Sequence, residues 1–519
     1  MNAQRSMQEQ TGGPQTSIAR CILLAVFALS LLMVRFCVPA SLSAQNPGST
    51  ADESANPPKA GGVDKLNSSA TGSTGKGTDP SGAADPANPP AIEAPEGQTQ
   101  NWNFHMQTTT TVQGYPSFSA RYSGPNSLPT SSEVRETVSL DLYSGLRLWR
   151  GAELHVDVLS WQGFGLNDAL GIDDFPDGEA YKIGTHLPRA GIARFFVRQT
   201  IGLGGDKEDV LEDPLTLAGK QDIARLTFTA GRFSSKDVFD NNAYANDART
   251  QFMNWAFTAN AAWDYPADAL GYTTGVAVEL NQPKWTLRYG FFQITSMRNG
   301  FLAEDQYLLV PSEPSGGDGR FWHAWDMVVE NEQRYSIHNH HGTARLLGYV
   351  NQGEFGSYQA ALYAPDTNID LTHALRHEFG FGLNLEQEIT KNIGVFSRLG
   401  WNDGINEAWM FTDVNHMGSV GVSIKGEGWH RSDDTIGVAG VISGISRDNQ
   451  LYLAAGGLGI LDGDGALDYA KEKVLEAYYQ AKITKRLLAA LDYQFVADPA
   501  FNRARGPVSV FGMRLHFEF

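Results

Sequence analysis

The chain has 519 residues, a net charge of −18 at pH 7 and only 19% charged residues, while 55 residues are Gly and 11% are aromatic. The acidic excess argues against nucleic acid as the main partner, because phosphate binding requires a basic surface. A mean hydropathy of −0.29 excludes a bundle of transmembrane helices. It does not exclude a membrane β-barrel, whose apolar residues alternate with polar ones.

Residues 1–44 are typical of a secretory signal. Arg5 and Arg20 supply positive charge before the almost wholly apolar run 21–34, and small residues then precede Ala44. This order predicts export and cleavage near Ala44. The alternative is an uncleaved membrane helix, but the run is shorter than the roughly 20 residues that a helical span needs.

Both cysteines of the chain, Cys21 and Cys37, lie within residues 1–44. The exported protein is therefore expected to contain no cysteine. Disulfides, zinc–thiolate sites and thiol nucleophiles are then excluded, which removes several classes of enzyme.

Residues 45–100 are rich in Pro, Gly, Ala, Ser and Thr and contain no Phe, Tyr or Trp. Such a segment buries too little apolar surface to offset the entropy of ordering it. We therefore predict a disordered linker or tether, with contact to the cell wall or to a partner as the alternative.

From residue 101 to the end, the dominant pattern is alternation of apolar and polar residues. In the last segment, Phe511, Met513, Leu515, Phe517 and Phe519 alternate with polar residues or Gly. The same alternation recurs in the runs 138–148, 153–158, 225–229, 378–386 and 487–495. This period indicates strands with one apolar and one polar face.

A soluble β-sandwich also alternates, but no change of composition divides residues 101–519 into several domains. Aromatic residues near predicted strand ends favour lipid, as in the girdles of membrane barrels. These residues are Trp102, Trp149, Trp161, Trp285, Trp401, Trp429, Phe495 and Phe519. The sequence thus predicts an all-β fold for residues 101–519: a closed antiparallel transmembrane β-barrel of about 16 strands around a water-filled lumen. Fourteen or eighteen strands also fit this length.

The carboxyl terminus supplies a separate argument for the outer membrane. A final amphipathic strand that ends in Phe519 resembles the assembly signal of bacterial outer-membrane barrels. This resemblance implies outer-membrane lipid and the barrel-assembly machinery as partners. The alternative is an ordinary last strand that ends in Phe by chance.

Three stretches, in order, resemble the carbohydrate-selective porins of the OprB type. They are Gly231–Ala256 with its Gly-Arg-Phe-Ser and Phe-Met-Asn-Trp-Ala motifs, Arg398–Gly426, and Asp492–Val508. The resemblance covers most of residues 101–519 and none of the linker. It implies a 16-stranded outer-membrane channel that passes mono- and oligosaccharides by diffusion through a narrow polar lumen.

A sugar-selective lumen needs groups that exchange hydrogen bonds with hydroxyls without binding too tightly. Arg is well suited because its guanidinium donates several hydrogen bonds and keeps its charge. The residues predicted to line the pathway, on the face opposite the apolar one, are Arg147, Asp157, Arg194, Arg198, Arg225 and Arg398. For each of them the alternative is a solvated wall position without a selective role. The turn 240–242 is predicted to fold inward or to stabilise the rim.

No cofactor or metal site and no catalysis are predicted. The histidine-rich segment 336–341 lacks a recognised ligand spacing, and the calcium-like start at 462–465 breaks off at Ala466. The carboxylate pairs 173–174 and 433–434 keep open a lumen-based sugar-degrading enzyme. A general or structural barrel without sugar selectivity is the other alternative. The sequence leaves open whether the chain is a monomer or a trimer.

Overall fold

The structure is a computed structural model, and it describes residues 99–180, 184–295, 297–300 and 323–519. The predicted signal at residues 1–44 lies outside the described residues, as does the predicted linker except for its last two positions. The internal gaps fall in two connections between strands.

Period-two alternation in the sequence appears as eighteen strands in the described part of the chain. They are β1 (Trp102–Tyr115), β2 (Glu133–Trp149), β3 (Ala152–Gly163), β4 (Thr185–Gly202), β5 (Lys207–Val210), β6 (Gly219–Asp222), β7 (Arg225–Phe233), β8 (Thr273–Asn281), β9 (Trp285–Gln293), β10 (Trp325–Ile337), β11 (His340–Gly353), β12 (Arg376–Thr390), β13 (Ile393–Asn402), β14 (His416–Gly426), β15 (Arg431–Gly444), β16 (Glu472–Lys482), β17 (Leu487–Ala497) and β18 (Val508–Glu518).

Sixteen of these strands form one closed antiparallel barrel, which confirms the predicted fold and strand number. Each strand pairs with its neighbour in sequence, β1 pairs with β18 to close the barrel, and β4 pairs with β7. The short strands β5 and β6 form a separate hairpin between β4 and β7. Closure leaves the barrel without a free edge, which is what a sheet in lipid requires.

Helices are short and lie in the connections. They are α1 (Trp255–Thr258), α2 (Tyr358–Ala361) and α3 (Arg447–Ala454), with 3-10 turns at Leu166–Ala169, Ser235–Asp237, Pro365–Thr367, Ile369–Thr372, Glu427–Trp429 and Pro499–Phe501. None of the helices in the described residues is long and apolar enough to cross a membrane.

The strands place apolar side chains outside and polar side chains inside. In β18, Phe511 is 56% exposed, whereas Arg514 is 1% exposed. The same phase turns Asp141 and Asp157 inward from β2 and β3. The prediction that Trp161 belongs to a lipid-facing aromatic girdle is wrong. Its side chain is 1% exposed and packs inside the barrel, because Trp161 lies four residues from Asp157 along β3 and therefore on the same, inward face.

The two ends of the barrel differ. At one end, here called the short-turn end, six of the connections between barrel strands have two to four residues. At the other, the long-loop end, the connections are longer, and the one joining β7 to β8 has 39 residues, 234–272. We call this segment the inner loop, because its side chains contact inward-facing residues of the wall.

The inner loop gives the barrel a hydrophobic core of its own. Phe252 of the loop packs its ring 5.4 Å from that of Phe396 in β13 and 5.0 Å from that of Tyr478 in β16. Trp263 and Tyr265 are also buried in this cluster. The lumen therefore differs from the prediction of a water-filled interior: a loop rich in Ala and aromatic residues occupies its waist.

Candidate functional site

The inner loop begins with a local capping structure that turns the chain away from β7. The Ser234 hydroxyl accepts a hydrogen bond from the Lys236 amide, and the Asp237 carboxylate accepts one from the Ser234 amide at 3.1 Å. Asp240 follows with φ at +55°, a left-handed conformation that Asp tolerates better than most residues. These residues direct the loop across the lumen.

Arg398 of β13 is the main anchor of the inner loop. Its guanidinium contacts the Asp240 carboxylate at 3.1 Å and donates to the carbonyls of Ala245 at 2.7 Å and Phe257 at 2.5 Å. One wall side chain thus joins three separate points of the loop. Sequence reasoning selected Arg398, but it had no means of identifying these partners.

Asp240 is surrounded by cationic and amide groups. Lys236 Nζ lies 3.0 Å from one carboxylate oxygen, and Asn384 of β12 donates to the other at 2.7 Å. Burial alone would raise the pKa of Asp240, but the charges of Arg398 and Lys236 hold that pKa well below its usual range. Burial also lowers the pKa of Lys236 to about 8, against the opposing charge of Asp240.

A second anchor joins the start of the inner loop to the wall at β3 and β4. Arg194 donates to Asp157, its cross-strand neighbour, at 2.7 Å and to both carboxylate oxygens of Asp237 at 2.8 and 2.9 Å. All three side chains are buried. Asp157 and Arg194, predicted from strand phase, are therefore bound to the inner loop.

Arg249 supplies a third anchor from the loop itself. It contacts Asp141 of β2 at 2.5 Å and Glu179, in the connection between β3 and β4, at 2.7 Å. Sequence reasoning missed Arg249, Asp141 and Glu179 because the residues are far apart in the chain. The only indication was that Asp141 alternates with apolar residues along its strand, which favoured an inward position for it.

Further around the wall, a ladder of charges crosses the five adjacent strands β8 to β12. Arg288 contacts Glu279, Glu330 and Glu332 at 2.8–2.9 Å. Arg345 then contacts Glu332 at 3.0 Å and Glu386 at 3.2 Å. The row ends at the inner loop, since Glu386 also accepts from the Ala243 amide at 2.6 Å.

The remaining predicted residues lie toward the short-turn end. Arg147 and Arg198 flank Glu153 in one row of the register, four residues along β3 from Asp157. Four residues correspond to about 13 Å along a strand. Arg225, at the start of β7, contacts Glu208 of the β5–β6 hairpin at 2.7 Å. The structure thus separates the six residues into two levels instead of one constriction.

Within the inner loop is a small cleft of about 10 Å³, lined by polar and small residues. Lys236, Asn246, Trp255 and Thr258 supply its polar groups, and Gly178 borders it from the connection between β3 and β4. Within the described residues, Asn246 Oδ1 and the Trp255 indole N–H are buried without a hydrogen-bond partner. The amide oxygen can accept, and the indole N–H can donate, one further hydrogen bond.

Two carboxylate pairs, 173–174 and 433–434, were the basis of the alternative prediction of an enzyme. Asp173 and Asp174 are buried, and their amides donate to Glu472 at 3.3 and 2.7 Å. Asp434 contacts Arg431 near the short-turn end. Among the described residues, no group of three or more His, Cys, Asp or Glu side chains is arranged to hold a metal ion.

The buried Asp174 makes stability depend on pH. Burial raises its pKa to about 7, although the Ser443 hydroxyl donates to it at 3.0 Å. A carboxyl group whose pKa is higher in the folded protein than in the unfolded chain favours the folded state at pH values below its unfolded pKa. This stabilisation is lost as the pH rises from about 4 through about 7.

We expect the Tm of the detergent-solubilised barrel to show this dependence when Asp174→Asn is compared with the unchanged protein. The Asn variant should lose less stability between pH 5 and pH 8, because Asn carries no charge. Asp468→Asn, at a partly exposed carboxylate that contacts Arg503 at 3.2 Å, serves as the matched control. Parallel Tm curves for the protein and Asp174→Asn would contradict the assignment.

Comparison with known proteins places this geometry in a family. The family model described as "Carbohydrate-selective porin, OprB family" matches residues 125–519. The chain belongs to this family. It is thus a passive outer-membrane channel for carbohydrates, and the resemblance drawn from its motifs is confirmed.

One solved structure shares the fold of this porin, and others match it more weakly. The high-pH structure of Pseudomonas putida OprB superposes with a TM-score of 0.59 at 15% identity, covering 81% of this chain and 94% of that one. The low-pH structure of the same protein gives a TM-score of 0.43 at 13% identity, with 81% and 93% covered. The channel DcaP of Acinetobacter baumannii gives 0.43 at 10% identity, with 82% and 99% covered. No curated protein matches the chain.

Proposed function

We propose that this porin selects sugars at the waist of the barrel, where the inner loop meets the wall, and passes them unchanged without catalysis. The observation that carries the proposal is the binding of the inner loop to the wall through Arg194, Arg249 and Arg398. A loop held at three points keeps a fixed gap, and a fixed polar gap discriminates solutes by size and by hydrogen bonding.

Charge compensation favours neutral polar solutes at this waist. Each of these arginines is held by one or two carboxylates, so none of the three guanidinium charges is left unpaired at these contacts. Hydroxyls exchange hydrogen bonds with such pairs at little electrostatic cost, whereas an ion must separate them. We therefore propose mono- and oligosaccharides as the permeating solutes.

The cleft beside Trp255 is the proposed contact point for sugar hydroxyls. We expect Trp255→Phe to slow glucose flux in liposome swelling by about three- to tenfold, because one hydrogen bond of about 1 kcal/mol is lost. The aromatic packing against Phe175 at 5.1 Å is kept by this change. Trp429→Phe, at the β14–β15 turn, is the matched control.

Glycine flux serves as the reference in the same vesicles, because this solute lacks the hydroxyl pattern of a sugar. A Trp255→Phe variant that slows glucose and glycine equally has changed the pore size and not sugar contact. Unchanged glucose flux would reject the cleft as the contact point.

We further propose that residues 1–44 direct export and are removed near Ala44. We also propose that outer-membrane lipid surrounds the apolar outer face, and that β18, together with Phe519 directly after it, is the segment recognised by the barrel-assembly machinery. Amino-terminal sequencing of the protein from outer membranes tests the first proposal. Deletion of Phe519, with outer-membrane yield as the readout, tests the last.

A further inference from the structure

Segment 203–224, which joins β4 to β7, differs from the other turns at the short-turn end. Those turns have two to four residues, whereas this one has 22 and contains the β5–β6 hairpin. Its tip is a tight turn in which Asp213 and Thr216 exchange backbone hydrogen bonds at 3.2 and 3.1 Å. We call residues 211–218 the hairpin tip.

The hairpin tip lies against the inner face of the barrel wall. Asn103 of β1 donates to the carbonyls of Asp213 at 3.0 Å and Thr216 at 3.3 Å. His105, two residues further along the same inner face, lies 3.0 Å from the Glu212 carboxylate. Side chains that point into the lumen thus hold the tip.

Contacts from two other wall strands fix the tip on its remaining sides. Arg198 of β4 donates to the Leu215 carbonyl at 2.7 Å, and Arg147 of β2 donates to the Ala218 carbonyl at 3.4 Å. Leu217 is only 2% exposed. The tip is therefore packed and hydrogen-bonded, in contrast to an exposed turn.

The depth of these contacts places the tip inside the barrel. Arg198 lies four residues before the end of β4 at Gly202, and His105 lies three residues after the start of β1. At about 3.3 Å per residue, Arg198 lies about 13 Å and His105 about 10 Å from the ends of their strands. The segment enters the mouth and does not extend away from it.

The additional residues are not needed to connect β4 and β7. The Leu203 amide already donates to the Ala224 carbonyl at 2.9 Å, and Gly204 and Gly205 between them have φ of +86° and +93°. Two glycines at positive φ suffice to close a hairpin between such a pair. Residues 206–223 therefore have a role other than connecting β4 to β7.

We propose that the hairpin tip forms a fixed second constriction of the solute pathway, at the short-turn mouth and separate from the waist. His105, Glu212 and Arg198 supply its polar lining, which suits hydroxylated neutral solutes. The identity of the solute rests on the proposed function, whereas the narrowing of the mouth does not. The tip accounts for the position of Arg147 and Arg198, which the waist does not use.

Deletion of residues 206–223, which leaves Leu203-Gly204-Gly205-Ala224 as the turn, is the direct test in the full-length protein. We expect single-channel conductance in KCl to rise about two-fold and disaccharide swelling rates to rise with it, because the narrowing is removed. Asp209→Ala is the matched control, since it removes only the exposed contact of Asp209 with Lys220 at 3.3 Å. Unchanged conductance in a deletion variant that keeps its folded migration in unheated SDS gels would overturn the proposal.

A second variant covers failure of the deletion to fold. Asn103→Leu with Arg198→Met removes two sides of the attachment and leaves the chain length unchanged. We expect conductance to fluctuate between the original level and higher levels, and a steady original level would overturn the proposal. Conductance measures the second constriction, whereas the ratio of swelling rates for sugars and amino acids measures the proposed sugar selectivity. Each of the two proposals can therefore be contradicted without the other.

Discussion

Replacing Arg398 with Met is expected to lower the free energy of unfolding by about 3–5 kcal/mol, because it leaves a buried carboxylate without its main cation. Asp240 would keep Lys236, but the Ala245 and Phe257 carbonyls would lose their donor. The inner loop should then detach from β13. We expect a lower Tm in detergent together with noisier and larger single-channel currents.

The Arg398→Lys variant separates the contribution of the positive charge from that of the hydrogen bonds to the loop carbonyls. Lysine keeps a positive charge near Asp240 but cannot reach several acceptors with a planar fork of donors. We expect it to lose less stability than Arg398→Met. Arg503→Met, at an exposed arginine that contacts Asp468, should behave as the unchanged protein. Equal stability of the Arg398→Met variant and this control would show that Arg398 does not anchor the loop.

Replacing Arg249 with Met is expected to make the channel cation-selective. The change removes the positive charge that Asp141 and Glu179 share at 2.5 and 2.7 Å. Two carboxylates would then face the waist without their common partner, and a local excess of negative charge attracts cations. The reversal potential in a tenfold KCl gradient at pH 8 should shift toward that of a cation-selective pore.

The triple variant Arg249→Met, Asp141→Asn, Glu179→Gln controls for the shape of the waist. It has the same missing arginine, but it also lacks the two negative charges, so selectivity should return toward the original value. A cation shift that persists in the triple variant would assign the effect to loop displacement. No shift in the single variant would contradict the role of Arg249 as the shared cation.

Most of the fold prediction came from the alternation of side chains along each strand, here called parity, because each wall position in a barrel faces either inward or outward. It put Asp157, Arg194 and Arg398 on the inward face, where their side chains are buried, and it would have put Trp161 there too had the alternation been preferred to its aromatic character. Length limited the number of strands to about sixteen but left fourteen and eighteen open, and the motif resemblance implied sixteen.

Parity has no information about depth or about loops. It could not separate Arg147 and Arg198 from Asp157 and Arg194, because residues of one parity share a face over the whole strand. The inner loop has no regular period, so its course across the lumen depends on tertiary contacts such as Arg249 to Asp141. The motif resemblance identified this segment, but the partners of its side chains required the structure.

We propose that a waist of paired charges passes neutral hydroxylated solutes in preference to others of the same size. Liposome swelling with the full-length porin, using glucose, a disaccharide and amino acids matched to glucose in size, measures this preference. We expect faster swelling with glucose than with the matched amino acids, and slower swelling with the disaccharide. Equal rates for glucose and the matched amino acids would contradict it.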